Sequence, residues 1–208
     1  SDPDTIHALL LTLFVVVIAV PANAIFGVIC SLIIVRSGYR GMRVIDWLID
    51  IPFALSPVVA GLALVLVYGQ QGWFGNALES SGFQIIYSWP GIILATMLVS
   101  LPFVVREVAP VLREIGTEQE QAASTLGASR WQTFWRVTLP ALRWGLTYGI
   151  ILTTARALGE FGAVSVVSGK ISGETETLTL RVEERFQNLD VTGAYTVAAL
   201  LALLSVIT

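Results

Sequence analysis

Five apolar stretches alternate with polar connections along this chain. They run from about Ile6 to Val35, Val44 to Tyr68, Ile85 to Val111, Leu142 to Val167 and Thr192 to Thr208. A membrane span needs about 20 apolar residues, roughly 30 Å of helix at 1.5 Å per residue. The first four stretches are long enough to span with tilt or to project beyond the bilayer. The last is still apolar at Thr208, so the pattern predicts a helix cut mid-length there, and the opening at Ser1 without a Met predicts a missing piece at the start. The fold class that follows is all-α, a polytopic membrane helix bundle. Pro21, Pro52, Pro57, Pro90 and Pro102 fall inside the apolar runs. Each removes a backbone donor, which membrane helices tolerate where neighbours or a wet cavity satisfy the freed carbonyls. Gly27, Ala60, Gly61 and Gly149 are small enough for close helix packing.

One connection is unlike the others. Residues Glu120 to Pro140, EQAASTLGASRWQTFWRVTLP, are polar, charged and helix-forming between two apolar runs. Thr117 followed by Glu120 reads as a capping box that starts a short helix. Gly127 ends that helix or permits a tight turn. Ser129 with Gln132 reads as a second box, opening a helix with Trp131, Phe134, Trp135 and Leu139 as an apolar stripe. Pro140 then marks the start of the fourth apolar run. Helix, glycine turn and amphipathic helix make a compact knob, fit either for a groove on a soluble partner or for lying on lipid headgroups.

Composition agrees with the membrane reading. Of 208 residues 55% are hydrophobic and 13% charged, against about 25% charged in a soluble domain, and mean hydropathy is +0.76. The formal charge of −3 argues against a nucleic-acid binder, more by its weakness than by its sign. Orientation comes from the loops. Arg36, Arg40 and Arg43 crowd the first connection, and Arg106, Arg113, Arg130, Arg136 and Arg143 mark the third. The second, Gly69 to Gln84, has no Lys or Arg, and the fourth dilutes Lys170, Arg181 and Arg185 with acids. The positive-inside rule puts the connections at 36–43 and 112–141 in the cytoplasm and those at 69–84 and 168–191 outside.

Candidate chemistry is sparse. Gly169-Lys170 is followed by Ile171 rather than Ser or Thr, so it is no phosphate-binding loop. His7 and Cys30 are single, which gives neither a metal set nor a disulfide within the chain, and no nucleophile–base pair is visible. No cofactor is expected. Charges within the apolar runs are costly and usually face a bundle interior or a wet cavity. Arg156 and Glu160 lie one helical turn apart and can pair on one face, as a structural bridge or on a translocation pathway. Ser56, Ser165 and Ser168 offer hydroxyls for an anion or for helix packing. Asp46 and Asp50 are read as interfacial. The run Leu178 to Asp190, LTLRVEERFQNLD, is amphipathic, either a surface for an external partner or a flap on its own subunit.

The order of Ala122, Ala123, Gly127, Leu139 and Pro140, with Val137 at the hydrophobic place, resembles the EAA motif of ABC-importer permeases. Gln121 stands where that family has Glu, and Glu120 precedes it. Across the chain, IPFALSPVVAGLALVLVYG (Ile51 to Gly69) and ARALGEFGAVSVVSG (Ala155 to Gly169) resemble the sulfate/thiosulfate permeases, the CysW-type subunit more than the paired CysT-type. The resemblance implies a type I importer transmembrane domain over residues 1–208, with five of an expected six spans visible. It also implies a bacterial inner-membrane location, a CysT-type partner permease, a dimer of cytoplasmic ATPase subunits and an external sulfate-binding protein, all assembled in membrane lipid. ATP hydrolysis would then reside on the separate ATPase, and residues 112–141 would be the coupling loop. Glu120, Gln121, Ala122, Ala123, Gly127, Leu139 and Pro140 would meet that ATPase, and Ser56, Arg156, Glu160, Ser165 and Ser168 are the candidate pathway residues. A permease for molybdate or another oxyanion is the alternative, and an ion-coupled secondary transporter is a further one.

Overall fold

The computed structural model describes residues 2–37, 41–80 and 82–207, without the side chains of residues 42, 43, 76, 77 and 79. Arg40, one of the three arginines used for orientation, lies outside the described residues, as does the side chain of Arg43. Among the described residues the chain is nearly all helix, with no strand.

Helix α1 (Pro3–Arg36) is 34 residues long, about 50 Å at helical rise. Asp2 starts it by accepting from the Asp4 amide, with Pro3 in the first turn, where a missing N–H costs nothing. Pro21 sits mid-helix without ending it. The second apolar run is not one straight helix. It is α2 (Met42–Ala54) followed by α3 (Pro57–Tyr68), bent by 112° at the break. Pro57 supplies the cause, because a proline forces the residue before it out of the helical region, and Ser56 is extended there at ψ 137°. A short α4 (Gly75–Ser80) follows, then α5 (Trp89–Ile115), 27 residues long.

The polar insert comes next, as α6 (Glu118–Thr125) and α7 (Arg130–Thr133). From α7 the chain passes through one π-helical turn, Phe134–Thr138, straight into α8 (Leu139–Leu158). The fourth apolar run is also interrupted: α8 ends at Gly159, and α9 (Gly162–Val167) restarts after Phe161. Helices α10 (Leu178–Gln187) and α11 (Val191–Ile207) close the chain. Among the described residues, α1 and α5 are each long and apolar enough to cross a membrane, and the bent α2–α3 pair adds a third candidate.

Helix α5 is the core of the bundle, packed chiefly on α1 and α8. Val104, Val108 and Leu112 of α5 are buried with Val28 and Leu142, and Ile92 and Ile93 with Leu11, Val15 and Val164. Within this apolar interior Asn23 donates to the Met97 carbonyl at 3.1 Å and to Ser100 Oγ at 2.9 Å. The outside is apolar as well, with Trp47, Leu66, Trp144 and Val206 all exposed. Water would penalise such a surface, whereas lipid or a neighbouring subunit does not.

The two helix breaks meet. A Cβ on Gly162 would stand 2.8 Å from Pro57 Cβ, and one on Gly61 would stand 2.8 Å from the Ala163 carbonyl oxygen. The start of α3 therefore lies directly on α9.

Close approach of α1 and α5 depends on Gly27, whose added Cβ would stand 2.6 Å from Val104 Cγ1. Gly27→Ala should cost about 1–3 kcal/mol by overpacking and lower the yield of folded protein. Unchanged thermal stability of the variant would show that the two helices do not meet there.

Candidate functional site

The insert begins where α5 stops, at Gly116 with φ 66°. Thr117 occupies the cap of α6, but its side chain makes no capping hydrogen bond, so the box expected with Glu120 is absent. Glu120 is turned the other way. Its Oε1 accepts from Arg36 Nη2 at 3.1 Å and from Thr138 Oγ1 at 2.9 Å. The same Arg36 nitrogen donates to the Gly116 carbonyl at 2.6 Å. A charge-assisted bond in a half-buried place outweighs a cap that water can replace. Thr117 Oγ1 accepts instead from Gln121 Nε2 at 3.0 Å.

The far end of α6 follows the sequence closely. Gly127 has φ 84°, its N–H reaches the Ser124 carbonyl at 3.0 Å, and the Ala128 N–H reaches Ala123 at 3.0 Å. This pair of bonds is the Schellman closure, which needs a left-handed residue. Ser129 and Gln132 form the expected capping box, at 2.9 Å and 3.3 Å. Trp131 stacks on Phe134, and Trp135 meets both rings edge-on, with ring centroids 5.5–6.1 Å apart. Only Phe134 packs inward on the core. The π turn has its reason in Pro140: shifting the ladder, so that the Leu139 N–H bonds to Phe134, absorbs the donor that proline lacks.

Gln121, Ala122, Gly127 and Pro140 are exposed, and Ala123 and Leu139 are half-buried. Leu126 at the tip is 88% exposed, a large apolar side chain with no cover from its own subunit. Beside it, Gln119, Ala122, Ala123, Arg136, Val137 and Pro140 line a shallow open groove of about 700 Å³. The site is thus a small-residue ridge and groove, held to the bundle from behind by the Glu120 carboxylate.

The pathway candidates are spread over both helix breaks. Arg156 Nη1 lies 2.6 Å from Glu160 Oε2, as expected from their spacing. Glu160 is buried, and its Oε1 accepts the Ala163 N–H at 2.8 Å, which starts α9. Its carbonyl accepts from Thr179 Oγ1 at 2.8 Å. The carboxylate therefore satisfies backbone that the break leaves open, while Arg156 keeps about 29% of its side chain exposed. Ser165 donates to Gly162 within its own helix, and buried Ser168 accepts the Lys170 N–H. Ser56 is exposed. One pair was missed by the sequence reading: Arg106 lies inside α5 and binds Asp50 of α2, with Nε donating to Oδ1 at 2.8 Å. Its signal was present, an acid and a base in consecutive apolar runs.

At the end of the bundle away from the insert, α10 is a flap on its own subunit. Arg181 is buried, with Nη2 2.5 Å from Asp2 and Nη1 3.3 Å from Glu176, and it also pairs with Glu184. Arg185 joins Asp2 and reaches Asp190 at 2.7 Å. Arg181 and Arg185 are therefore not free surface charges, because Asp2 at the start of α1 and the acids around α10 neutralise them. Asp2 is held well below the usual carboxylate range, first by its bond from Arg181. Glu176 moves the other way: burial first, then the neighbouring Glu184, push its carboxyl up to about 7.

Residues 23–208 match the family described as binding-protein-dependent transport system inner membrane component, and the chain belongs to that family. Within it, the chain is 55% identical over 208 residues to the sulfate transport system permease protein CysW of Synechococcus elongatus, covering all of this chain and 73% of that protein. Identity is 50% over 208 residues to the protein of the same name from Escherichia coli K12, covering 72% of it. The E. coli sulfate transport system permease protein CysT is 40% identical over 201 residues, 97% of this chain and 73% of that one.

Glu176 gives a prediction with a defined sign. Its folded pKa is raised from about 4.5 to about 7, so its stabilising contribution is present below 4.5 and is lost as pH rises through 7. The melting temperature of the purified protein should fall by a few degrees from pH 5 to pH 8, and Glu176→Gln should flatten that slope. An identical slope in the variant would contradict the assignment.

Proposed function

We propose that this chain is the membrane permease subunit of an ATP-driven sulfate importer, with residues 1–208 as its transmembrane domain. The observation that carries the reading is identity of 50–55% along the whole chain to sulfate permeases named CysW. The 40% identity to a CysT protein fits a pair of homologous permeases sharing one pathway. A family named for dependence on a binding protein fits an external sulfate-binding protein and a cytoplasmic ATPase dimer as the remaining partners. Five spans of a six-span domain fit the five apolar stretches, taken as α1, α2–α3, α5, α8–α9 and α11. The insert at 112–141 then lies in the cytoplasm with the loop at 36–43, and the loops at 69–84 and 168–191 lie outside, in keeping with the arginine distribution.

In this reading α6 is the coupling helix. Gln121, Ala122, Ala123 and Leu126 form its docking surface, Leu139 and Pro140 anchor its return to the membrane, and Glu120 positions it by holding Arg36 and Thr138. Closure of the ATPase dimer would move α6, and the clamp would pass that movement to α1 and α8. External docking and internal closure then bias one pair of bundle states. A secondary transporter would leave the groove and the exposed Leu126 without a role.

Reconstitution tests the function. Proteoliposomes carrying the whole complex should accumulate sulfate only with the binding protein outside and ATP on the insert side. Accumulation driven by an ion gradient without the ATPase would overturn the reading, and competition by thiosulfate or molybdate measures how far the pathway itself selects.

Two variants probe the parts. Gly127→Leu forces a branched side chain into a left-handed turn, at a cost of about 1–2 kcal/mol. The permease should still insert, while ATPase association and uptake fall at least about ten-fold. For Arg156 and Glu160, removing one partner of a buried pair costs on the order of 3–5 kcal/mol. Loss of uptake in Arg156→Gln, without recovery in the doubly neutral variant, would mark Arg156 as a pathway residue. Restored uptake in the double would mark the pair as structural.

A further inference from the structure

The α2–α5 face breaks two rules of lipid-exposed surface at once. Asp50 and Arg106 lie about 12 and 14 Å along their helices from the ends nearest the insert, inside apolar runs. Yet their side chains are 34% and 44% exposed. Ions within apolar runs pair with one another or face water rather than hydrocarbon. A few residues along the same helix, the backbone is broken at Leu55–Ser56 and Ser56 is exposed. Irregular backbone at membrane depth is tolerated only inside protein or against a water-filled cavity. Between ion pair and break, Phe53 packs edge-on to Phe103 at 4.9 Å, which fixes α2 against α5 at this level.

The pairing engages one edge of the guanidinium. Asp50 takes the Nε and Nη2 edge of the guanidinium. Arginine has five donors in a planar fork, and among the described residues the Nη1–Nη2 edge of Arg106 has no partner. That edge has the spacing that two oxygens of a tetrahedral anion match. Asp50 fixes the plane of the guanidinium and cancels its charge. A neutralised arginine holds a dianion weakly, and a conduction site must release what it binds.

We infer that Asp50 and Arg106 form an anion site on the α2–α5 face of the bundle, taking a tetrahedral oxyanion dianion on the free edge of Arg106, with Ser56 farther along the same route. Arg106 binds the anion, Asp50 is its positioning residue, and the site rests on the permease reading above. The anion crosses the α2–α5 face, and selection there is by the two-pronged geometry of the fork as well as by charge.

The test uses the complete importer and measures complex yield and sulfate uptake. Arg106→Gln should assemble and lose uptake at least ten-fold. Arg106→Lys, which keeps the charge and loses the fork, should fall in between. Asp50→Asn with Arg106→Gln should not recover uptake. Uptake near the parent level in Arg106→Gln, or recovery in the double variant, overturns the site. An inactive parent importer would overturn the permease reading instead, so the two failures are distinct. Labelling gives an arm that does not depend on the ion pair. Ser56→Cys in a Cys30→Ser background should react with a membrane-impermeant sulfonate thiol reagent, several-fold more slowly in saturating sulfate. No reaction, or a rate that sulfate leaves unchanged, overturns the proposal even if the arginine variants fail to assemble.

Discussion

The bond between Arg36 and Glu120 decides how the polar insert sits on the membrane bundle. One carboxylate, 24% exposed, receives the guanidinium at the end of α1 and the Thr138 hydroxyl ahead of α8. The same guanidinium holds the last carbonyl of the α5 corner at Gly116. Without that carboxylate, α6 would be a short polar helix joined at two glycine corners, with no buried residue of its own. With it, α6 is fixed against α1, α5 and α8 together, and its small-residue side points outward. A force applied at α6 therefore reaches three helices through one ion pair.

The second constraint is the solvent. Hydrocarbon offers no partner for a freed carbonyl or an ion, so each interruption of the helices carries its own compensation. The break after α8 is closed by Glu160, which caps Ala163, and by Thr179, which holds the Glu160 carbonyl. The break before α3 lies against the first turn of α9. At the other end of the bundle, Thr12 of α1 accepts the Leu178 N–H at 2.9 Å, which ties the start of α10 down. Helix α1 is consequently clamped at both ends, by Asp2 to the arginines of α10 and by Arg36 to α6. It connects the flap with the insert along the height of the bundle.

Local chemistry was legible in the sequence. The Ser129–Gln132 box and the Gly127 turn need only residues within one turn of themselves, and both are present. Arg156 and Glu160 are four residues apart and pair, although Glu160 lies past the end of α8. Long-range competition was not legible. Thr117 and Glu120 have the spacing of a capping box, but Arg36, 84 residues away in the chain, takes the carboxylate. Arg181 and Arg185 lie on the polar face of an amphipathic helix, and sequence does not say that a second polar group, at Asp2, will cover it. Hydropathy showed the second and fourth apolar runs as continuous. Their breaks are carried by backbone chemistry instead, at Ser56-Pro57 and at Gly159 to Gly162.

The central claim is that the insert is the surface through which a separate ATPase drives this permease, and proximity in the assembled importer tests it most directly. Leu126 is exposed at the tip, so its replacement leaves the subunit's own core intact. Leu126→Cys in a Cys30→Ser background, carrying a short photoactivatable cross-linker, should give one dominant adduct at the combined mass of permease and ATPase subunit, with a yield that changes when ATP is added. Cross-linking to lipid alone, or to the external binding protein, would contradict the account.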